Sequence, residues 1–68
     1  EIKAPMPGLI LEVKVGVGNR VARGDVVCRM EAMKMENNII SSMEGQVQAV
    51  NVSEGVEVQT GQVLVVIG

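Results

Sequence analysis

The sequence has 68 residues, enough for one small domain that buries about 60% of the surface its unfolded chain exposes. Hydrophobic residues make up 47% of the chain, but Phe, Tyr and Trp are absent, so aliphatic side chains and methionine must fill the core. Six basic and eight acidic residues give a net charge of −2. With no basic excess to neutralise phosphates and no aromatic ring to stack on bases, we expect no nucleic acid partner.

Cys28 is the only cysteine and histidine is absent, which excludes a disulfide framework and a soft-ligand metal site. We interpret Cys28 as a small buried hydrophobe. The longest apolar run, Val63 to Ile67, is far too short to cross a bilayer, so we expect no membrane contact. A reducing compartment is the default, which predicts a cytoplasmic location and leaves the mitochondrial matrix open.

The chain reads as a series of short strands without a helix. Val13-Lys14-Val15 and Val50-Asn51-Val52 alternate apolar and polar residues, as a half-buried strand does, whereas Val63 to Ile67 is continuously apolar, as in a strand covered on both faces. Glycine-containing turn signals separate these segments. In chain order we predict eight strands, at roughly 2–6, 9–15, 20–23, 26–31, 35–40, 46–52, 56–60 and 63–67.

The two halves of the sequence resemble each other. An offset of 37 residues gives nine identities in 31 aligned pairs, including Ile2 with Ile39 and Gly8 with Gly45. The repeats run over roughly 1–31 and 38–68 of a single domain, 1–68. Two intertwined four-stranded halves predict an all-β fold, a flattened barrel or sandwich of two four-stranded antiparallel sheets with an internal two-fold repeat.

The seam between the repeats, 31–36, has no counterpart elsewhere in the chain and reads Glu31-Ala32-Met33-Lys34-Met35-Glu36. The flanking strands leave Met33-Lys34 at the tip of a very tight hairpin, where Asn-Gly or Asp-Gly would be favoured. A lone turn lysine is ordinarily a solvated surface residue, and single glutamates are ordinary surface charges. The seam position, the paired methionines and the acidic frame together favour a functional site, because function is expected where turn chemistry departs from the local rule.

Ala32-Met33-Lys34-Met35 resembles the attachment motif of biotinyl carrier domains, the biotin carboxyl carrier modules of biotin-dependent carboxylases, decarboxylases and transcarboxylases. The segment Ala4-Pro5-Met6-Pro7-Gly8 is similar to the start of these domains, and the resemblance covers essentially the whole chain. It implies that a biotin protein ligase acylates Lys34 with biotin. It also implies that the flanking residues contribute to recognition, namely Glu31, Ala32, Met33, Met35 and Glu36.

The resemblance implies a non-catalytic carrier. Biotin on the hairpin lysine would collect a carboxyl group at a biotin carboxylase or donor site and deliver it at a carboxyltransferase site. Carriers of bacterial acetyl-CoA carboxylases are similar but carry an inserted thumb after the second strand. Here Val15 to Val21 and Val52 to Val58 have the same length, so we expect no thumb, a mobile biotin arm, and a parent enzyme of the pyruvate, propionyl- or methylmalonyl-type.

Two alternatives remain open. A lipoyl domain of a 2-oxo acid dehydrogenase complex resembles this arrangement, although its lysine is typically flanked by Asp and Ala, whereas Lys34 lies between two methionines. An unmodified structural module, such as the lipoyl-like hairpin domains of membrane-fusion proteins, would need no lysine at the tip. A self-sufficient enzyme is the weakest interpretation, because without histidine no Ser/His/Asp or Cys/His set can form.

Overall fold

All residues from Glu1 to Gly68 are described by a computed structural model, and every regular element in it is a strand. The strands are β1 (Ile2–Lys3), β2 (Gly8–Val13), β3 (Arg20–Val21), β4 (Val26–Ala32), β5 (Met35–Ile40), β6 (Gly45–Val50), β7 (Glu57–Val58) and β8 (Val63–Ile67). All eight predicted strands are present. Several are shorter than predicted, and β1 ends before Pro5 and Pro7, which cannot donate to a ladder.

The strands form two four-stranded antiparallel sheets, with the orders β1-β8-β6-β3 and β5-β4-β2-β7. The predicted fold class is therefore confirmed. The two orders are equivalent: when each strand number is shifted by four, counting on from β8 to β1, the first order becomes the second. Each sheet thus takes two strands from each half of the sequence.

Loop hydrogen bonds follow the same two-fold relationship. The amide of Gly18 donates to the carbonyl of Val47 at 2.9 Å, and the amide of Gly55 donates to the carbonyl of Ile10 at 2.8 Å. Both glycines have positive φ, 92° and 85°, a conformation that side-chain-bearing residues rarely adopt. The loops that contain them, 14–19 and 51–56, each have six residues, so neither carries an insertion.

The core between the sheets is aliphatic. Its most deeply buried side chains are Ile10, Met30, Leu64, Val27, Val47, Val58, Val65 and Cys28. Cys28 is buried as a small hydrophobe, as predicted, and burial raises the pKa of its thiol because the thiolate would be desolvated. No helix of the fold is long and apolar enough to cross a membrane.

Candidate functional site

The β4–β5 hairpin ends in a two-residue turn. Its last cross-strand pair is Ala32 with Met35, which leaves Met33 and Lys34 outside the ladder. Their φ angles are 54° and 66°, and no other non-glycine residue in the chain has positive φ. Positive φ at both central residues suits the twist of a hairpin, but it costs energy in residues with a Cβ. The seam therefore carries a strained turn, in line with its unusual sequence.

The side chains of this turn project into solvent. Met33 is 88% exposed and Met35 is 67% exposed, and Lys34 between them is exposed as well. The Lys34 ammonium takes part in none of the three ion pairs of the structure. Neither of the two surface depressions is lined by a residue of the turn. The tip thus offers a free amine between two apolar side chains.

The base of the hairpin is held closely against β2. Ala32 is buried, in contrast to the turn that follows it. A Cβ placed on Gly8 would lie 2.5 Å from the Cε of Met30 and 2.5 Å from the carbonyl oxygen of Glu31. Only a glycine fits between these atoms, so Gly8 allows β2 to support the base of the tip. In the sequence, Gly8 stood out as a repeat of Gly45 and as part of the segment Ala4 to Gly8, and its close contact with β4 was missed.

The two glutamates of the seam have different surroundings, although they face each other as a cross-strand pair. The Arg29 guanidinium donates to the carboxylate of Glu36 and, at 3.2 Å, to Oε1 of Glu12 on β2. Lys14 Nζ lies 3.4 Å from the same Glu12 oxygen. Glu31 makes no ion pair. Of the two carboxylates that border the turn, Glu31 is therefore the one without a cationic partner.

The contacts among Lys14, Glu12, Arg29 and Glu36 shift the pKa values of Glu12 and Arg29. The pKa of Glu12 is lowered, first by its hydrogen bond from Arg29 and then by Lys14. The pKa of Arg29 is raised, first by its hydrogen bond to Glu12 and further by the charge of Glu36. Sequence reasoning did not find Arg29 or Glu12, because their contact depends on the register of β2 against β4, which no local pattern reveals.

Among the described residues, no group of three or more Cys, Asp or Glu side chains is placed to hold a metal ion. The structure brings all six predicted seam residues to one end of the hairpin, with Lys34 at the tip and Ala32 inside the base. This arrangement presents one accessible amino group at the tip, with the carboxylates of Glu31 and Glu36 one cross-strand pair away from the last pair of the hairpin. It offers an amino group as a point of covalent attachment.

A two-sheet β domain with an exposed lysine on a strained hairpin turn defines a carrier-type domain. The family model described as "Biotin-requiring enzyme" matches residues 1–67. The chain therefore belongs to this biotin/lipoyl family, as the resemblance predicted.

Individual relatives agree with this assignment. The chain is 48% identical over 64 residues to the biotin carboxyl carrier protein of Streptococcus mutans, which covers 94% of this chain and 49% of that protein. It is 39% identical over 64 residues to the human mitochondrial propionyl-CoA carboxylase alpha chain, covering 94% of this chain and 9% of that one. The Kluyveromyces lactis urea carboxylase structure superimposes with a TM-score of 0.91 at 28% identity, covering 98% of this chain and 6% of the carboxylase. The chain thus spans about half of the first relative and a small part of the other two.

Proposed function

We propose that this chain is a biotin carboxyl carrier domain in which biotin is joined by an amide bond to Nζ of Lys34. The observation that carries the proposal is the exposed, unpaired Lys34 amine on the strained turn, framed by Met33 and Met35. Relatives named for biotin and for carboxylases support biotin over lipoate. The methionine flanks also differ from the Asp and Ala typical of lipoyl domains.

The residues present fit the attachment of such a group. An amide at Nζ buries no charge and displaces no ion pair, since Lys34 makes none. Forming it removes one positive charge and takes the net charge of the chain from −2 to −3. Attached biotin supplies a nitrogen that carries a carboxyl group between sites. The protein holds the attachment point in a fixed position, because the close contact of Gly8 with β4 and the buried Ala32 anchor the hairpin just before its turn.

The proposed partners are the enzymes that attach the biotin and those that carboxylate it or use its carboxyl group. A biotin protein ligase is needed to activate biotin and attach it, and a biotin carboxylase, a carboxyltransferase or both are needed for the chemistry. The exposed methionines give these partners apolar surface to pack on, and loop 14–19 has no insertion that could cover the biotin. We further propose a cytoplasmic location, with the mitochondrial matrix as the alternative.

Coexpression with a biotin protein ligase tests the proposal. Intact mass and streptavidin binding should show one biotin per chain, and Lys34→Arg should abolish it because the guanidinium stays protonated and is not acylated. Lys3→Arg and Lys14→Arg are the matched controls and should be modified normally. Biotin on the Lys34→Arg protein, or lipoylation in place of biotinylation, would contradict the proposal.

A further inference from the structure

The five methionines of the chain differ widely in exposure. Met30 is fully buried, Met6 packs against the core, and Met43 is 42% exposed. Met33 at 88% and Met35 at 67% are the two most exposed, and they are the two that flank the turn lysine. The thioethers that water reaches best are therefore those at the proposed attachment site.

The exposed pair contributes nothing to the core. Met33 and Met35 belong neither to the buried cluster nor to the half-buried residues that pack against it. Each apolar side chain left in water forgoes the gain that burial would give. Their exposure suits a surface that a partner covers for part of the time, and between such contacts both sulfur atoms are open to small oxidants.

We propose that Met33 and Met35 form a peroxide-sensitive modification site, at which oxidation to methionine sulfoxide weakens docking of the carrier to the partner that carboxylates its biotin. This inference rests on the proposed function and adds a form of regulation at the same site. The fold is unaffected, because neither side chain packs inside it. Met30, beneath Gly8 at the base of the same hairpin, is protected by burial.

The chemistry needs only a hydroperoxide such as hydrogen peroxide. A lone pair of the thioether sulfur attacks the outer peroxide oxygen, an S–O bond forms and the O–O bond breaks. The oxygen bound to sulfur loses its proton, and the departing hydroxide takes up a proton and leaves as water, so the products are the neutral sulfoxide and one water molecule. Sulfur loses two electrons and the peroxide gains them. Methionine sulfoxide reductases reverse the step with thiols as electron donors, one class of enzyme for each sulfoxide epimer.

The effect on docking follows from polarity. A sulfoxide replaces a soft apolar sulfur by a polar group with a strong acceptor oxygen. A partner surface shaped to pack on methionine offers that oxygen no hydrogen bond, and an unsatisfied polar group in a contact is unfavourable. Both sulfurs lie beside the lysine, so the disturbed contact is the one that brings the biotin arm to the partner.

Selectivity is measured first, on the biotinylated chain titrated with hydrogen peroxide and mapped by peptide mass spectrometry. Met33 and Met35 should gain oxygen fastest, Met43 and Met6 later, and Met30 only in denaturant. The thermal midpoint of the doubly oxidised protein should stay within about 4 °C of the untreated one, the range expected for a surface change away from the core in a domain of this size. Oxidation of Met43 ahead of Met33 and Met35, or loss of the fold on oxidation, would overturn the proposal.

The consequence is measured next, as the rate at which a biotin carboxylase carboxylates oxidised and untreated carrier. We expect roughly a tenfold loss, comparable with leaving one polar group unsatisfied in a contact. Treatment with both sulfoxide reductases should restore the rate. The double variant Met33→Leu, Met35→Leu has no thioether at the tip, so its carboxylation rate should be the same before and after peroxide treatment. Met43→Leu retains both tip methionines, so peroxide should still lower its carboxylation rate.

The outcomes separate the two proposals. A chain without biotin on Lys34 would overturn the carrier function and this inference together. A biotinylated chain that is carboxylated equally fast before and after oxidation of both methionines would overturn this inference alone. The same holds if the Met33→Leu, Met35→Leu carrier loses activity with peroxide as the native one does.

Discussion

Arg29 on β4 reaches across the hairpin to the carboxylate of Glu36 on β5, two residues closer to the turn than its own cross-strand partner Asn38. The interaction neutralises one of two carboxylates that face each other, and the other, Glu31, keeps its charge unpaired. Directly opposed like charges destabilise a strand pair. Arg29 thus reduces the repulsion between Glu31 and Glu36 next to the turn. It also makes the two carboxylates that border Lys34 unequal, since only that of Glu36 is paired.

A double-mutant cycle with Arg29→Gln and Glu36→Gln should measure this interaction. The side chains are 36% and 58% exposed, so only a small coupling energy is expected from urea unfolding, because water screens an exposed pair. It should shrink in about 1 M salt, where the screening length is near 3 Å. Glu54→Gln, which removes a carboxylate that lies outside the hairpin and makes no ion pair, is the control and should show no coupling to Arg29. A large coupling energy that does not change with salt concentration would contradict the description of an exposed pair.

Glu12→Gln should change how the stability of the fold depends on pH in the acidic range. The pKa of Glu12 is lowered in the folded state by Arg29 and Lys14, so its contribution to stability is present above the unfolded pKa. The contribution disappears as pH falls through the folded pKa. The thermal midpoint of the wild type should therefore exceed that of the variant near neutral pH, and the gap should close on acidification. A gap that widens towards low pH would refute this assignment.

Moving the lysine by one position should abolish biotinylation. Met33→Lys combined with Lys34→Met keeps the composition of the tip, but neighbouring residues of a hairpin direct their side chains differently. We expect near-complete loss of modification by the ligase, with an unchanged far-ultraviolet circular dichroism spectrum. Met33→Leu and Met35→Leu conserve volume and apolarity and should still be biotinylated, with any deficit appearing at carboxylation. Equal ligase rates for the shifted and native lysines would show that position at the tip is unimportant.

Gly8→Ala should destabilise the fold although it adds a single methyl group. The new Cβ would lie 2.5 Å from Met30 Cε and from the Glu31 carbonyl oxygen, and overpacking of this kind costs about 1–3 kcal/mol. Gly16→Ala is the matched control, because its nearest neighbour would be Asn19 Oδ1 at 3.7 Å. Equal free energies of unfolding for the two variants would mean that β2 has room to move away from the hairpin.

The sequence predicted those features that repeat along the chain. The apolar run ending at Ile67 located β8. The alternating segments at 13–15 and 50–52 marked only the ends of β2 and β6, because those strands stop at Val13 and Val50. The unfavourable turn sequence at Met33-Lys34 located the positive-φ pair. Strand ends were predicted less well, as at 2–6 and 56–60, because proline and loop geometry end the short edge strands early. Cross-strand contacts require the register between distant segments, and this is why the Arg29 interaction could not be anticipated.

The interleaved sheet order has a consequence for how the chain acquires its structure. Because β1 pairs with β8, β3 with β6 and β2 with β7, each sheet draws on both halves of the chain, and neither half can complete a sheet alone. Folding must close long loops before most of the pairing forms, which favours one cooperative transition and a slow rate for so small a protein. The β4–β5 hairpin is the exception, since its two strands are joined by only two residues. The segment that bears Lys34 is thus suited to nucleate folding, and it can pair before the remainder of the domain has assembled around it.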